Sequence, residues 1–256
     1  MQDYPDSYKD EYQIPEKSPY THKINSQTHN KKVFRLIIKF IKPYNPSNLF
    51  LSDNMDEKLK TGTTTVGIVG KNGVVLAADK RASMGYLVAH KGFNKIYKIT
   101  DNIAMTVAGS VGHAQKIVQL MRTEMRKYKI QKNKMPTVKA CSSLLSNILF
   151  SYGLYVQLLM AGKDENGYHL YTLTPDGANV EDEYISTGSG SVMAYGVLED
   201  KYQKDMDVTE IMRIAVRAVN SAIKRDVFSG NGIDLVVVDN KGVKVIEKEK
   251  INELIG

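Results

Sequence analysis

The chain has 256 residues, of which 42% are hydrophobic and 25% charged, a composition typical of a globular protein long enough to bury a core. Its net charge of +7 would suit a nucleic-acid binder, but the basic residues are interleaved with acids and lack an aromatic stacking motif, which argues against nucleic acid as a partner. The single cysteine, Cys141, excludes an internal disulfide and indicates a reducing, cytoplasmic compartment, and the histidines lack metal-ligand spacing.

Residues 1–54 differ in composition from the rest of the chain. They are polar, contain five of the seven prolines and cannot bury enough apolar surface to order themselves. Their one apolar run, Val33–Ile41, is too short and too charged for a transmembrane helix, so no membrane partner is expected. A discarded leader is the favoured interpretation and a small amphipathic patch is an alternative. Translation from Met55 is a further hypothesis, which would make residues 1–54 a gene-model extension.

Two apolar runs, Thr64–Val69 and Val74–Asp79, predict strands, and Asn72-Gly73 between them indicates a hairpin. Shorter strands are expected at Lys95–Ile99 and Ile103–Val107. Two helices follow, because apolar residues recur at helical spacing in two sets: Ile117, Met121, Met125 and Tyr128, then Cys141, Leu144, Leu145 and Ile148.

The second half predicts strands near Val156–Gly162 and Tyr168–Thr174 and a short helix near Val192–Leu198. A long helix should begin at Asp207, where Glu210 three residues later completes a capping-box pattern. Strands close the chain near Ile233–Val238 and Val243–Ile246. Blocks of strands and paired helices, rather than strict alternation, favour an α+β fold of antiparallel sheets with helices packed outside them.

The stretch Gly62-Thr63-Thr64-Thr65-Val66 contains the strongest candidate for a catalytic residue. If the Gly62–Thr63 bond were cut, Thr63 would carry a hydroxyl and a free α-amine, whose pKa of roughly 7.7–8.0 makes it a usable base near neutral pH. One residue would then supply nucleophile and base. Taken alone, three threonines are more often simple β-branched strand residues.

From Thr63 onward the chain resembles the catalytic β subunits of archaeal proteasomes, which are threonine peptidases of the N-terminal nucleophile class. Several motifs in family-like order and spacing carry the resemblance: Thr63-Thr64-Thr65-Val66-Gly67, Asp79-Lys80-Arg81, Lys95, Thr106-Val107-Ala108-Gly109, Leu144-Leu145-Ser146-Asn147, Thr187-Gly188-Ser189-Gly190-Ser191, Tyr195-Gly196-Val197-Leu198-Glu199, Arg225-Asp226 and Ser229-Gly230. The resemblance implies a four-layer αββα sandwich. The connection Phe150–Gln157 looks a few residues shorter than the family's.

The resemblance also implies roles for single residues. Thr63 would be the nucleophile, Lys95 the cation beside its hydroxyl and Asp79 the partner of that lysine. Ser189, Asp226 and Ser229 would orient the Thr63 amine, and the backbone N–H of Gly109 would stabilise the oxyanion. Taken without the resemblance, the side chains of Asp79, Lys95, Ser189, Asp226 and Ser229 would be assigned to a solvated surface, turn, loop or element end.

Processing and specificity follow from the same comparison. Residues 1–62 would be a leader removed when Thr63 attacks the carbonyl of Gly62, and residues 63–256 the catalytic domain. The side-chain pocket for substrate would be lined by apolar residues, which favour cleavage after large hydrophobic residues, although Gln115 lies nearby in the sequence. These lining residues are Ala82, Ala89, Phe93, Tyr97, Val107 and Val111.

As partners, the resemblance implies proteasome α subunits, other β subunits in stacked seven-membered rings, a proteasome-activating ATPase and unfolded polypeptides. No cofactor is expected, because an amine and a lysine can supply the proton transfers. Two other functions stay open at this point. One is a non-catalytic ring subunit, which would have lost its threonine, lysine or aspartate. The other is a different amidohydrolase with an N-terminal nucleophile, including the bacterial two-ring peptidase.

Overall fold

The structure, a computed structural model, describes residues 62–255. The interpretations of residues 1–61, including the leader and a start at Met55, lie outside this range. Within it, no helix combines the length and the apolar composition that crossing a bilayer requires.

Two five-stranded antiparallel sheets form the centre of the fold. The first has the order β10-β1-β2-β11-β12 and the second the order β5-β6-β7-β8-β9. The first sheet contains β1 Thr65–Gly70, β2 Gly73–Asp79, β10 Tyr184–Thr187, β11 Ile233–Asp239 and β12 Gly242–Val245. The second contains β5 Ile96–Lys98, β6 Ile103–Gly109, β7 Val156–Asp164, β8 Gly167–Leu173 and β9 Asn179–Glu181. A separate hairpin pairs β3 Ala82–Met84 with β4 Leu87–His90.

Within residues 62–255, five helices cover the outer faces of the sheets. α1 Val111–Lys132 and α2 Val138–Tyr152 pack on the second sheet, where the core includes Met121, Cys141 and Leu145. The helices on the first sheet are α3 Ser191–Lys201, α4 Val208–Ile223 and α5 Lys248–Ile255. The layers are therefore helix, sheet, sheet, helix, which confirms the predicted αββα sandwich.

The side chains of β2 alternate between two hydrophobic cores, one between the first sheet and its helices and one between the two sheets. Val75 and Ala77 face the helices, whereas Val74 and Leu76 face the second sheet. All four are fully buried, so the strand reads as a continuous apolar run rather than an alternating one. Between the sheets, Gly67 leaves the space into which the Leu170 side chain packs.

The strands and helices predicted from periodicity are present, with ends shifted by a few residues. Tyr128, Leu144 and Ile148 are only partly buried, although their spacing assigned them to the apolar faces of α1 and α2. The prediction missed the β3–β4 hairpin, β9, β10 and α5. These elements are short, and β4 is exposed at every position, so no apolar periodicity marks it.

The N-terminus of α4 offers a test of local stability. The Asp207 carboxylate accepts hydrogen bonds from the backbone N–H groups of Thr209 and Glu210, and the Glu210 carboxylate accepts one from the N–H of Asp207. We expect Asp207→Ala to lower the free energy of unfolding by about 1 kcal/mol. Urea denaturation measures this loss, and Asp207→Asn, which keeps an acceptor oxygen, is the control. Equal losses in both variants would contradict the capping role.

Candidate functional site

The six residues predicted to do the chemistry come from five separate segments. Thr63 lies just before β1, Asp79 ends β2 and Lys95 lies just before β5. Ser189 lies in the turn between β10 and α3, and Asp226 and Ser229 follow the end of α4. The fold brings all six together at one end of the two sheets, where hydrogen bonds connect them in a continuous path.

Asp79 is the centre of one half of this path. Its carboxylate is fully buried and accepts four hydrogen bonds. One oxygen accepts from the Lys95 ammonium at 2.6 Å and from the backbone N–H of Thr64 at 2.9 Å. The other accepts from the backbone N–H groups of Arg81 at 3.0 Å and Gly230 at 2.9 Å. A buried carboxylate that accepts this many hydrogen bonds is held rigidly in place.

Lys95 is also buried, with 2% of its surface exposed, which excludes the ordinary assignment of a solvated surface lysine. Burial lowers the pKa of its ammonium group below the usual range, while the nearby carboxylates of Asp79 and Asp226 oppose that shift. Lys95 immediately precedes β5 of the second sheet and Asp79 ends β2 of the first, so their ion pair connects the two sheets at the site.

Hydroxyl groups form the other half of the path. The Thr63 N–H donates to the Ser189 hydroxyl at 3.2 Å, and Ser189 donates to the Asp226 carboxylate at 2.6 Å. The same carboxylate oxygen accepts from the Ser229 hydroxyl at 2.6 Å. Ser229 is 2.7 Å from the Thr64 hydroxyl, and the Thr64 N–H leads back to Asp79. The nitrogen of Thr63 and the ammonium of Lys95 are thus linked through fixed polar groups.

The Thr63 hydroxyl lies beside the peptide bond that precedes it. It donates a hydrogen bond of 2.6 Å to the carbonyl oxygen of Gly62, and only 5% of Thr63 is exposed. Gly62 itself packs against Phe228, where an added Cβ would overlap the Phe228 side chain. The Gly62 N–H donates to the Ser83 hydroxyl at 3.3 Å. The hydroxyl and the preceding carbonyl are therefore held close together.

Two glycines that sequence reasoning left without a role allow the turn at 188–190 to approach Thr63. Gly188 has φ +93°, and an added Cβ would overlap the carbonyl oxygen of Thr63. A Cβ at Gly190 would overlap the Thr64 hydroxyl. The signal was present in the sequence as Gly-Ser-Gly-Ser, but only the folded chain shows that atoms of Thr63 and Thr64 occupy the space where side chains would lie.

Gly188→Ala should therefore destabilise the protein and disrupt the site together. The left-handed backbone alone costs a non-glycine residue about 1–3 kcal/mol, and the overlap with Thr63 adds to that cost. Gly196→Ala is the matched control, because Gly196 lies within α3 with open space around it, and a helical Gly→Ala change stabilises by up to about 1 kcal/mol. Urea denaturation of both variants checks the prediction, which fails if they respond alike.

Arg81 is another residue to which no role had been assigned. Its guanidinium donates to the carbonyl oxygen of Val227 at 2.6 Å and to the Asn231 side chain at 2.9 Å. These bonds hold the loop that carries Asp226 and Ser229 against the end of β2. Thr64 was likewise missed, although both its N–H and its hydroxyl belong to the path. The sequence pointed to Arg81 and Thr64 only through their positions in the same motifs as Asp79 and Thr63.

Gly109 ends β6 with φ +118°, and an added Cβ would lie 2.7 Å from the carbonyl oxygen of Tyr155. Glycine is therefore required at position 109 by the positive φ and by the close approach of the Tyr155 carbonyl.

The residues expected to form the substrate pocket have different environments. Val107 is buried, Phe93, Tyr97 and Ala82 are partly buried, and Ala89 and Val111 are exposed. Tyr97 packs against the cluster containing Val107, and the backbone N–H of Val107 donates to the carbonyl of Lys95.

The geometry supports acyl transfer. The Thr63 hydroxyl lies beside a carbonyl, as a nucleophile would. The buried Lys95 ammonium, with its lowered pKa, has the character of an activating group. The hydroxyl and carboxylate of Ser189 and Asp226 at the Thr63 nitrogen have the character of an orienting network. No group of side chains within residues 62–255 has the composition and placement of a metal site.

Comparisons with known proteins show the family to which the chain belongs. Residues 59–238 match the family model described as proteasome subunit. The chain is 49% identical to a proteasome subunit beta of Methanobrevibacter smithii over 201 residues, which cover 78% of this chain and 98% of the relative. It is 49% identical to that of Ferroglobus placidus over 78% of this chain and 97% of the relative, and 48% identical to that of Methanocaldococcus vulcanius over 76% and 90%. The chain therefore belongs to the proteasome subunit family, and its relatives place it among the β subunits.

Proposed function

We propose that this β subunit is a threonine endopeptidase whose nucleophile is Thr63. The observation that carries the proposal is the unbroken hydrogen-bonded path from Thr63 through Ser189, Asp226, Ser229 and Thr64 to Asp79 and Lys95. A non-catalytic subunit would have no use for a buried lysine–aspartate pair at this position, since burying such a pair contributes little to stability by itself.

Activation would be an intramolecular acyl transfer. The Thr63 oxygen attacks the carbonyl carbon of Gly62, the bond from that carbon to the Thr63 nitrogen breaks, and the hydroxyl proton passes to the nitrogen. The resulting ester is hydrolysed by water, which releases residues 1–62 and leaves Thr63 with a free α-amine. The 2.6 Å contact between the hydroxyl and the Gly62 carbonyl oxygen supports this step, as does a glycine where a side chain would meet Phe228.

In the mature subunit the α-amine would act as the base. It accepts the proton of the Thr63 hydroxyl as the oxygen attacks the substrate carbonyl, and it returns that proton to the leaving amine. Lys95 stabilises the developing negative charge on the Thr63 oxygen, and Asp79 fixes the position of Lys95. Ser189 and Asp226 orient the amine, and the N–H of Gly109 is the proposed donor to the oxyanion. Water then hydrolyses the acyl-enzyme.

Substrate preference would follow from Val107, Tyr97, Phe93 and Ala82, to which Ala89 and Val111 add further apolar surface. No acidic or basic side chain belongs to this set, so cleavage after large hydrophobic residues is the preference that we propose. Peptides that differ only in the residue before the cut, compared by kcat/KM, test it.

Family membership implies that the chain assembles with other proteasome subunits. The finer arrangement remains a proposal: seven-membered β rings stacked within α rings in the cytoplasm, with unfolded chains delivered by a proteasome-activating ATPase. Peptidase activity that depends on co-expressed α subunits would support it.

Mass spectrometry of the assembled protein tests the function directly. We expect a mature chain that begins at Thr63 and hydrolyses fluorogenic peptides. A non-catalytic subunit would keep residues before Thr63 or show no activity when assembled. An active protein with any other N-terminus would rule out Thr63 as nucleophile.

The activity should decline on the alkaline side at a lower pH than an ordinary lysine would predict. Burial lowers the pKa of Lys95, so its proton leaves earlier as the pH rises, and the neutral amine no longer stabilises the Thr63 oxyanion. The measurement is kcat/KM against pH, with circular dichroism at each pH to exclude unfolding. A profile that stays flat until the protein unfolds would contradict a catalytic need for the Lys95 charge.

A further inference from the structure

A cavity lies at the other end of β5, away from Lys95. The turn between β5 and β6 and one face of α1 enclose a half-open cavity of about 720 Å³. This is within the size range of small-molecule sites. Its floor includes the buried Met125, and the charged side chains of its walls are Lys98, Asp101, Arg122, Arg126 and Lys129. We call this cavity the basic pocket.

The basic pocket carries four positive charges and one negative charge. Arg122, Arg126 and Lys129 are spaced four and three residues apart, so α1 presents them on one face, where like charges repel one another. Lys98 is paired with Asp101 at 2.8 Å, and both side chains are largely exposed. That hydrogen bond lowers the pKa of the Asp101 carboxyl, which keeps Asp101 charged. The pocket therefore keeps an excess of three positive charges.

The individual cations differ in how they are held. Arg122 donates its Nε to the carbonyl oxygen of Lys98 at 2.8 Å, which fixes the guanidinium between helix and turn. Arg126 and Lys129 have no ion pair with any residue in 62–255, whereas Lys127 on the same helix lies 3.8 Å from the Glu124 carboxylate. Arg122 is thus held in position, and Arg126 and Lys129 beside it have no acidic partner within residues 62–255. This arrangement suits a multivalent anion.

We propose that the basic pocket binds a compact multivalent oxyanion, with inorganic polyphosphates and nucleotide phosphates as the chemistry that fits best. Guanidinium groups pair with phosphate oxygens in a bidentate manner, and a ligand of three or four negative charges would offset the excess charge of the walls. Nothing in the proposed peptidase mechanism uses these side chains, so the pocket is a site separate from Thr63.

Isothermal titration of the full chain with pyrophosphate at fixed ionic strength tests this proposal. We expect saturable binding that Arg126→Gln and Lys129→Gln each weaken by at least about threefold, since charge-assisted contacts at an exposed site are partly screened. Lys127→Gln is the control, because it removes the same charge from the same helix outside the pocket. Asp101→Asn should act in the opposite direction and tighten binding, since it removes the only carboxylate of the walls.

Parallel titrations with ATP and citrate identify the chemistry. Tighter binding of pyrophosphate or ATP than of citrate supports a phosphate site. Equal binding of citrate would overturn the preference for phosphate. Absence of pyrophosphate binding, or equal weakening by Lys127→Gln and Arg126→Gln, would overturn the site itself, because the second result is expected of diffuse surface charge.

Discussion

Replacing Thr63 by alanine is expected to leave residues 1–62 attached and to reduce peptidase activity by about 10⁴-fold or more, to the background of the assay. The substitution removes the hydroxyl that lies 2.6 Å from the Gly62 carbonyl oxygen, so neither self-cleavage nor attack on a substrate can begin. The mass of the purified chain reports the first effect, and hydrolysis of a fluorogenic peptide reports the second.

Two further proteins separate chemistry from folding. Thr63→Ser keeps a hydroxyl and should retain processing, and Thr123→Ala removes an exposed threonine on α1 that only bonds within its own helix. Both should assemble and remain active. A Thr63→Ala protein that loses its leader by its own action, or that still cleaves peptides, would refute the assignment of the nucleophile.

Asp79→Asn should be the most destabilising single change in the site. All four groups that contact the Asp79 carboxylate are hydrogen-bond donors. In asparagine an NH₂ group replaces one carboxylate oxygen, so a donor would face other donors. The substitution also leaves the Lys95 ammonium buried without its partner. The expected loss is about 3–5 kcal/mol in the free energy of unfolding, with peptidase activity lowered by at least about 10²-fold.

The double variant Asp79→Asn with Lys95→Met distinguishes the structural role of the pair from its chemical role. Replacing both charges removes the unpaired ammonium, so part of the lost stability should return in urea denaturation. Activity should stay lost, because the double variant lacks the cation that we propose stabilises the Thr63 oxygen. Restored activity in the double variant, or an unchanged urea midpoint in Asp79→Asn, would show that the pair does not have the role proposed here.

Local patterns account for the parts of the fold that were predictable. The apolar spacing of α1 and the Asp207–Glu210 capping box depend on residues within one or two turns of each other, so a linear reading finds them. β10 was not predictable in this way. Its four residues form a strand because β1 pairs with them along the edge of the first sheet.

The candidate residues of the site were named from a resemblance, whereas their burial could not be inferred. A lysine between Asn94 and Ile96 and an aspartate at a strand end are usually solvated. Here both are buried because Lys95 reaches across from one sheet to the carboxylate of the other. No local feature of either segment specifies that the other segment lies within 3 Å.

The sequence by itself predicted antiparallel sheets with helices packed outside them, because apolar periodicity is a property of neighbouring positions; the four layers and the candidate polar residues of the site were expectations from the resemblance of its motifs. Only the tertiary structure decided that Thr64 joins Ser229, 165 residues away, and that Gly188 admits the backbone of Thr63. Such contacts depend on how sheets and turns pack against one another, so they are defined only when the distant segments lie side by side in the folded chain.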